Sequence, residues 1–252
     1  MGWRLRHVRP RGHLKFDGTA TRLVSRRSRR SKRRAAACLA VAAVVVVVVG
    51  GYLLSTQGAR PKPIILYVNQ GNGLVDESNF SAMLGFASSQ GFNTVFFQVY
   101  RGGVLLFSRS QLGYFVNQTH FRGLEIFFAL YFTNATQAFP STVLGVGEDG
   151  ISLDMSALGL GAQESLLADL GSCHCQTAVT TTDMEPPLKP DLLVLETYGP
   201  SLQQYVRHGI IASVGVFATS SKADYQQQFR YALDNSDGVM VFDYAGLLKS
   251  GY

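Results

Sequence analysis

The sequence predicts an α/β fold: a compact (β/α)8 TIM-type barrel with some abbreviated helices, preceded by one transmembrane helix. Three observations predict it. Eight short runs rich in β-branched and aromatic residues recur between residues 64 and 244. Helical stretches separate several of them, and strands alternating with helices call for parallel strands joined by crossovers. Before them, Ala35 to Leu54 is an uncharged run that includes the valines Val44 to Val49.

The runs are Ile64–Asn69, Thr94–Tyr100, Glu125–Phe132, Gly150–Met155, Thr177–Asp183, Asp191–Tyr198, Ile210–Phe217 and Gly238–Tyr244. Helices are expected over Asp76–Gln90, whose opening acids suit a helix N-terminus and which stops at Gly91, and over Ala157–Leu170, which stops at Gly171. Ser201–His208 and Ser221–Leu233 are two more. Residues 61–252 fall just short of the usual lower bound of ~200 residues for this barrel, so some crossovers must be short. The proline-rich link 184–190 and the aperiodic stretch 133–149 are the places. A doubly wound open sheet is the structural alternative. No Gly-x-Gly-x-x-Gly follows the first run, so its dinucleotide-binding form has no support.

The apolar run 35–54 is long enough as a helix to cross a bilayer and has no polar face. Residues 1–34 carry 13 Lys+Arg and one acid, whereas the rest of the chain carries 10 Lys+Arg and 16 acids. The positive-inside rule then makes 1–34 a basic cytoplasmic tail, 35–54 a membrane anchor, 55–60 a linker and 61–252 an extracytoplasmic domain of a single-pass cell-membrane protein. A cleaved signal peptide is the other reading, but its apolar stretch is normally shorter. Three N-glycosylation triplets, at Asn79, Asn117 and Asn134, all fall on the outer side. The acidic body argues against nucleic acid as a partner. Cys173-His174-Cys175 lacks the spacing of a zinc site and reads as a loop whose thiols are oxidised or paired, so neither metal nor cofactor is expected.

In such a barrel the chemistry belongs to the C-terminal ends of the strands. Asp154, Asp183, Glu196 and Asp243 all fall at or near the ends of four different runs. Alternation puts Val194, Glu196 and Tyr198 on one face. It groups Val239, Val241 and Asp243 likewise, and Thr177, Val179, Thr181 and Asp183. Tyr67 with Asn69, and Gln98 with Tyr100, add aromatic and amide groups. If these faces point inward, four carboxylates ring one mouth. For any single acid, helix capping is an equal alternative, and Asp243 could cap the short C-terminal segment. Two carboxylates flanking one bond suit glycoside hydrolysis, with Tyr, Gln and Asn for sugar hydroxyls. A Gly-x-Ser-x-Gly elbow is missing, and none of His120, His174 and His208 ends a run, so serine and metal hydrolases are disfavoured.

Residues 149–154 (DGISLD) and 193–198 (LVLETY) resemble the fourth- and sixth-strand segments of barrel glycoside hydrolases, specifically the endo-α-1,4-polygalactosaminidase-like and α-galactosidase-clan families. Gly238–Tyr244 resembles their last strand. The resemblance implies that Asp154 is the nucleophile and Glu196 the proton donor. From their places at the run ends, Tyr67, Asn69, Gln98, Tyr100, Asp183, Tyr198, Asp243 and Tyr244 are candidate substrate-binding residues, for a polysaccharide or glycan outside the cell. Glu196 is expected to be the more enclosed acid, with Tyr198 and Tyr244 beside it. The alternative is a barrel of the same descent that binds glycan or a surface partner without catalysis.

Overall fold

In a computed structural model of the chain, the described residues are 61–71, 75–170, 175–182, 189–219 and 221–251. The predicted tail, the membrane span 35–54, Cys173, His174 and Asp183 lie outside them. Among the described residues no helix is long and apolar enough to cross a membrane.

The strands are β1 (Ile64–Val68), β2 (Thr94–Arg101), β3 (Val104–Leu105), β4 (Glu125–Tyr131), β5 (Gly150–Asp154), β6 (Gln176–Thr181), β7 (Leu192–Leu195), β8 (Ile211–Gly215) and β9 (Gly238–Phe242). Eight of them pair in parallel, each with its chain neighbour, and β1 pairs with both β2 and β9, so the sheet closes. The short β3 is an antiparallel hairpin extension of β2. The proline-containing link does not interrupt the order: Ala178 pairs with Leu192 across β6 and β7.

Alternation sorts the strand residues into two cores. Ile65, Tyr67, Phe96, Phe127, Ala129, Ala178, Val194, Ile211 and Met240 fill the barrel interior. Their neighbours in sequence, such as Leu66, Phe97, Ile151 and Val241, face the helices. Gly150 belongs to the interior face of β5 because its backbone runs against the Phe127 ring. A layered interior of this kind is a packed core rather than a pore.

The helices on the outer wall are α1 (Phe80–Ser89), α2 (Arg109–Phe121), α3 (Leu160–Leu170), α4 (Leu202–Tyr205), α5 (Lys222–Asn235) and α6 (Tyr244–Lys249). α1 starts later than its acids suggest. Asp76 accepts from Ser78 N and Oγ, while Asn79 Oδ1 accepts from Asp76 N, which makes a turn of the segment before the helix. α2 was not anticipated. Its start is a capping box: Gln111 N donates to Ser108 Oγ at 3.4 Å and Ser108 N donates to Gln111 Oε1 at 2.9 Å. Its buried stripe is Leu112, Phe115, Val116 and Thr119. α4 is a single turn preceded by a 3-10 turn over Gly199–Ser201, so that crossover is shorter than expected. Only a 3-10 turn, Ser141–Val143, stands between β4 and β5. Lys62 Nζ donates to the carbonyls of Leu233 (2.8 Å) and Ser236 (2.7 Å), which ties the entry to β1 onto the end of α5.

Two of the expected faces turn out reversed, and a third is broken partway by a bulge. Val239 and Val241 pack against the helices while Met240 and Phe242 point inward, so Asp243 does not follow an inward stripe. Val179 likewise faces outward and Ala178 inward, which reverses the face assigned to Thr177, Val179 and Thr181. In β2 the register with β4 shifts between Gln98 and Tyr100. Gln98 stays inside, but Val99 and Tyr100 both join the outer core. A bulge adds one residue and re-aims the side chains after it, so Arg101 takes the inward place that Tyr100 was expected to fill.

Candidate active site

The C-terminal ends of β1, β2, β4, β5, β7 and β9 surround an open cavity of ≈ 180 Å³, lined by Tyr67, Asn69, Gln98, Arg101, Tyr131, Asp154, Ser156, Glu196 and Phe242. That is smaller than the ~300–1,000 Å³ of sites that engulf a drug-sized ligand, so the room suits one ring with the rest of a chain outside.

Asp154 is the last residue of β5 and is only 5% exposed. Its Oδ1 accepts from Ser156 Oγ at 3.0 Å. Burial raises its carboxyl above the ordinary value, opposed by hydrogen bonds from Ser156 and Tyr67 and by the charge of Arg101. Glu196 stands one residue past β7, and its amide donates to Thr181 O at 3.0 Å, which continues the ladder and fixes where the side chain leaves the sheet. Tyr198 Oη donates to Glu196 Oε1 at 3.1 Å. Glu196 is pushed up to about 6, first by burial and then by the negative charge of Asp154, against the pull of that hydroxyl. The enclosure runs opposite to expectation: Asp154 is buried and Glu196 half-buried. Burial also raises the Tyr67 and Tyr198 hydroxyls, so both stay protonated donors. Beneath the acids, Gln98 Nε2 donates to Tyr67 Oη (3.4 Å) and Gln98 Oε1 accepts from Gln70 N (2.9 Å).

An aromatic shelf adjoins the Glu196 side. Tyr198 and Phe217 meet edge to face with ring centres 4.9 Å apart, and Phe217 and Phe242 do so at 6.1 Å. Gly215 makes this possible, since a Cβ there would stand 2.7 Å from the Phe217 ring and 2.8 Å from the Tyr198 ring. Phe217, in the turn after β8, is 67% exposed.

The structure thus brings Tyr67, Asn69, Gln98, Asp154, Glu196 and Tyr198 together, and it sets three expected residues apart. Tyr100 lies outside the barrel wall, its ring against Phe132 and its hydroxyl donating to Ala138 O at 3.1 Å, because of the bulge. Asp243 is the N-cap of α6: its Oδ1 accepts from Gly246 N at 2.9 Å, the capping role that the sequence left open. Tyr244 then starts the helix and packs on Phe86, away from Glu196. Asp183 lies outside the described residues. Arg101, Tyr131, Ser156 and Phe242 line the mouth without having been singled out in the sequence. Tyr131 was within reach, since it continues the alternation of Phe127 and Ala129; Arg101 depends on a bulge that no residue pattern announces.

Asn79, Asn117 and Asn134 are all exposed. Asn134 Oδ1 accepts from Thr136 N at 3.0 Å, and Thr119 of the second triplet is buried against Phe115 O. Cys175 is disulfide-bonded. Among the described residues no group of three or more His, Cys, Asp and Glu side chains is placed to hold a metal ion. A second cavity, on the outer wall between Phe92, Tyr225, Phe229 and Leu247, has no carboxylate in its lining.

No family model matches the sequence, and no curated protein matches it. Among solved structures the chain is similar to a noncanonic maltogenic α-amylase, AmyB, from Thermotoga neapolitana, at 11% identity and a TM-score of 0.49 over 75% of this chain and 69% of that one. It is similar also to CpGH84B at 6% identity and a TM-score of 0.48, over 71% of this chain but only 44% of that one.

Proposed function

We propose that the protein is a glycoside hydrolase held to the cell membrane by residues 35–54, with its barrel outside, acting on a cell-surface or extracellular polysaccharide. The observation that carries this is one cavity at the C-terminal end of a closed parallel barrel, holding two carboxylates in unequal surroundings. Burial raises the Asp154 carboxyl, and donors from Ser156 and Tyr67 with the charge of Arg101 oppose that rise. Glu196, raised to about 6 beside the negative charge of Asp154, is the group that holds a proton more readily near neutral pH. In the proposed reaction Asp154 attacks the anomeric carbon and Glu196 protonates the leaving oxygen. A water deprotonated by Glu196 then releases the sugar from Asp154. Tyr67, Asn69 and Gln98 supply hydroxyl partners, and the Phe217 shelf offers an apolar face for the next ring on the leaving side.

The test is reducing-sugar release from a panel of neutral and acidic polysaccharides by the purified full-length protein. Asp154→Asn and Glu196→Gln should each lower the rate by roughly 10²–10⁴ while the fold is kept. Equal release by all three proteins would defeat the reading. Binding without release by the unaltered protein would make it a glycan-binding barrel. The topology is tested by protease added to intact cells, which should digest the body; a body protected until lysis would overturn it. Loss of apparent mass on treatment with an N-glycosidase would mark use of Asn79, Asn117 or Asn134.

A further inference from the structure

Arg101 is the one cation lining the mouth, and among the described residues no carboxylate forms an ion pair with it, although its charge acts on Asp154 in the same cavity. The ion pairs among the described residues are His120–Asp149 and His208–Asp237, and both sit at the opposite end of the barrel, before the strands begin. The Arg101 guanidinium donates to Asn69 Oδ1 at 3.2 Å through Nη1 and lies over the Tyr131 ring, 5.5 Å from its centre. Gly71 leaves the space it occupies: a Cβ there would overlap Nη1. One hydrogen bond and one stacked face orient the group, yet among the described residues most of its N–H donors have no hydrogen-bond partner. The bulge in β2 is what delivers this side chain to the mouth, and without it Tyr100 would stand there.

We propose that Arg101 grips the carboxylate of a uronic acid unit, so that the mouth selects an acidic polysaccharide. This rests on the glycosidase reading and names its substrate class. A planar guanidinium fork matches a carboxylate through two parallel hydrogen bonds. A single guanidinium fork is matched in charge and geometry by one singly charged carboxylate. A phosphate carries more charge and is usually met by a helix N-terminus or a backbone nest as well, and the residues lining this mouth include no lysine. Tyr131 beneath the guanidinium adds an apolar face beside the charged point, which fits a sugar ring bearing a carboxylate at its edge.

The experiment measures binding by the full-length Glu196→Gln protein, which stops turnover and leaves Arg101 in place. The probes are polygalacturonate, alginate and hyaluronan, each compared with its carboxyl-reduced form, in which only the charge is removed, and a neutral galactan. At least one uronate polymer should bind about tenfold or more tighter than its reduced form, the range expected of a charge-assisted pair. That preference should shrink as salt is raised from about 50 mM to about 500 mM. Adding Arg101→Gln should erase the preference while the binding of reduced forms stays unchanged; Arg101→Lys should retain part of it. Phe217→Ala should weaken charged and reduced forms alike. A preference that survives Arg101→Gln, or reduced forms that bind as well as charged ones, would overturn the inference while the glycosidase reading stands. Failure of every polysaccharide to bind would overturn both.

Discussion

Gly150 opens the strand that carries Asp154, and replacing it with alanine tests the packing beneath the site. The added Cβ would overlap the Phe127 ring and stand 2.7 Å from the carbonyl oxygen of Gln176 in the adjacent strand. Neither neighbour yields easily. Phe127 is fully buried, with its ring centre 5.0 Å from that of Phe96, and the Gln176 oxygen belongs to the backbone of β6. Inserting a methyl into a filled core typically costs 1–3 kcal/mol, and the backbone contact places this case at about 3. Alanine restricts the unfolded chain and returns about 0.4–1 kcal/mol. The net expectation is a loss of about 2 kcal/mol, read from urea or guanidinium unfolding of the full-length protein at neutral pH. Phe127→Leu should cost stability alone, yet make Gly150→Ala cheaper when the two are combined, with a coupling of about 1 kcal/mol. If Gly150→Ala is as stable as the parent, or the two changes simply add, the interior layer is not packed as described.

Other expectations follow from the same geometry. Glu196→Gln should raise stability at neutral pH. The carboxyl is raised from 4.5 to about 6, so the stability it lends is full below about 4.5 and lost as pH rises through about 6; discounted for its exposed side, the difference between variant and parent should grow by about 1 kcal/mol between pH 4 and pH 7. A difference that is flat with pH would contradict this. Asp243→Ala removes the cap of α6 and should cost about 1 kcal/mol in unfolding experiments, with Asp243→Ser recovering most of it. Ser108→Ala, at the capping box of α2, should cost a similar ~1 kcal/mol, whereas a helix that starts elsewhere would not respond.

The barrel was legible because its strands are buried on both faces and read as continuous apolar runs bounded by turns. Boundaries suffered where capping competes with strand. The run expected to end at Tyr244 stops at Phe242, because Asp243 bonds Gly246 N and turns the chain into α6. α2 was missed although Ser108-x-x-Gln111 is a start signal, because its stripe of Leu112, Phe115, Val116 and Thr119 is diluted by polar residues. In the site, Asp154 and Glu196 came from strand ends and resemblance, and the structure sets them in one cavity. Faces were harder. Where both sides of a strand are buried, alternation cannot say which side is inside, so Val239 and Val241 were assigned the wrong way round. A single extra residue in β2 exchanged a tyrosine for an arginine at the mouth.

If the reading of the site is right, Asp154 and Glu196 act as one electrostatically coupled pair. That coupling is tested most directly by carboxyl ¹³C NMR titration of Glu196, in selectively labelled protein with its signal assigned by Glu196→Gln. The midpoint should lie near 6 in the parent and move down in Asp154→Asn while staying above the ordinary glutamate value, because burial is the larger cause and the neighbouring charge the second. A midpoint at the ordinary value, or one indifferent to Asp154→Asn, would contradict the coupling.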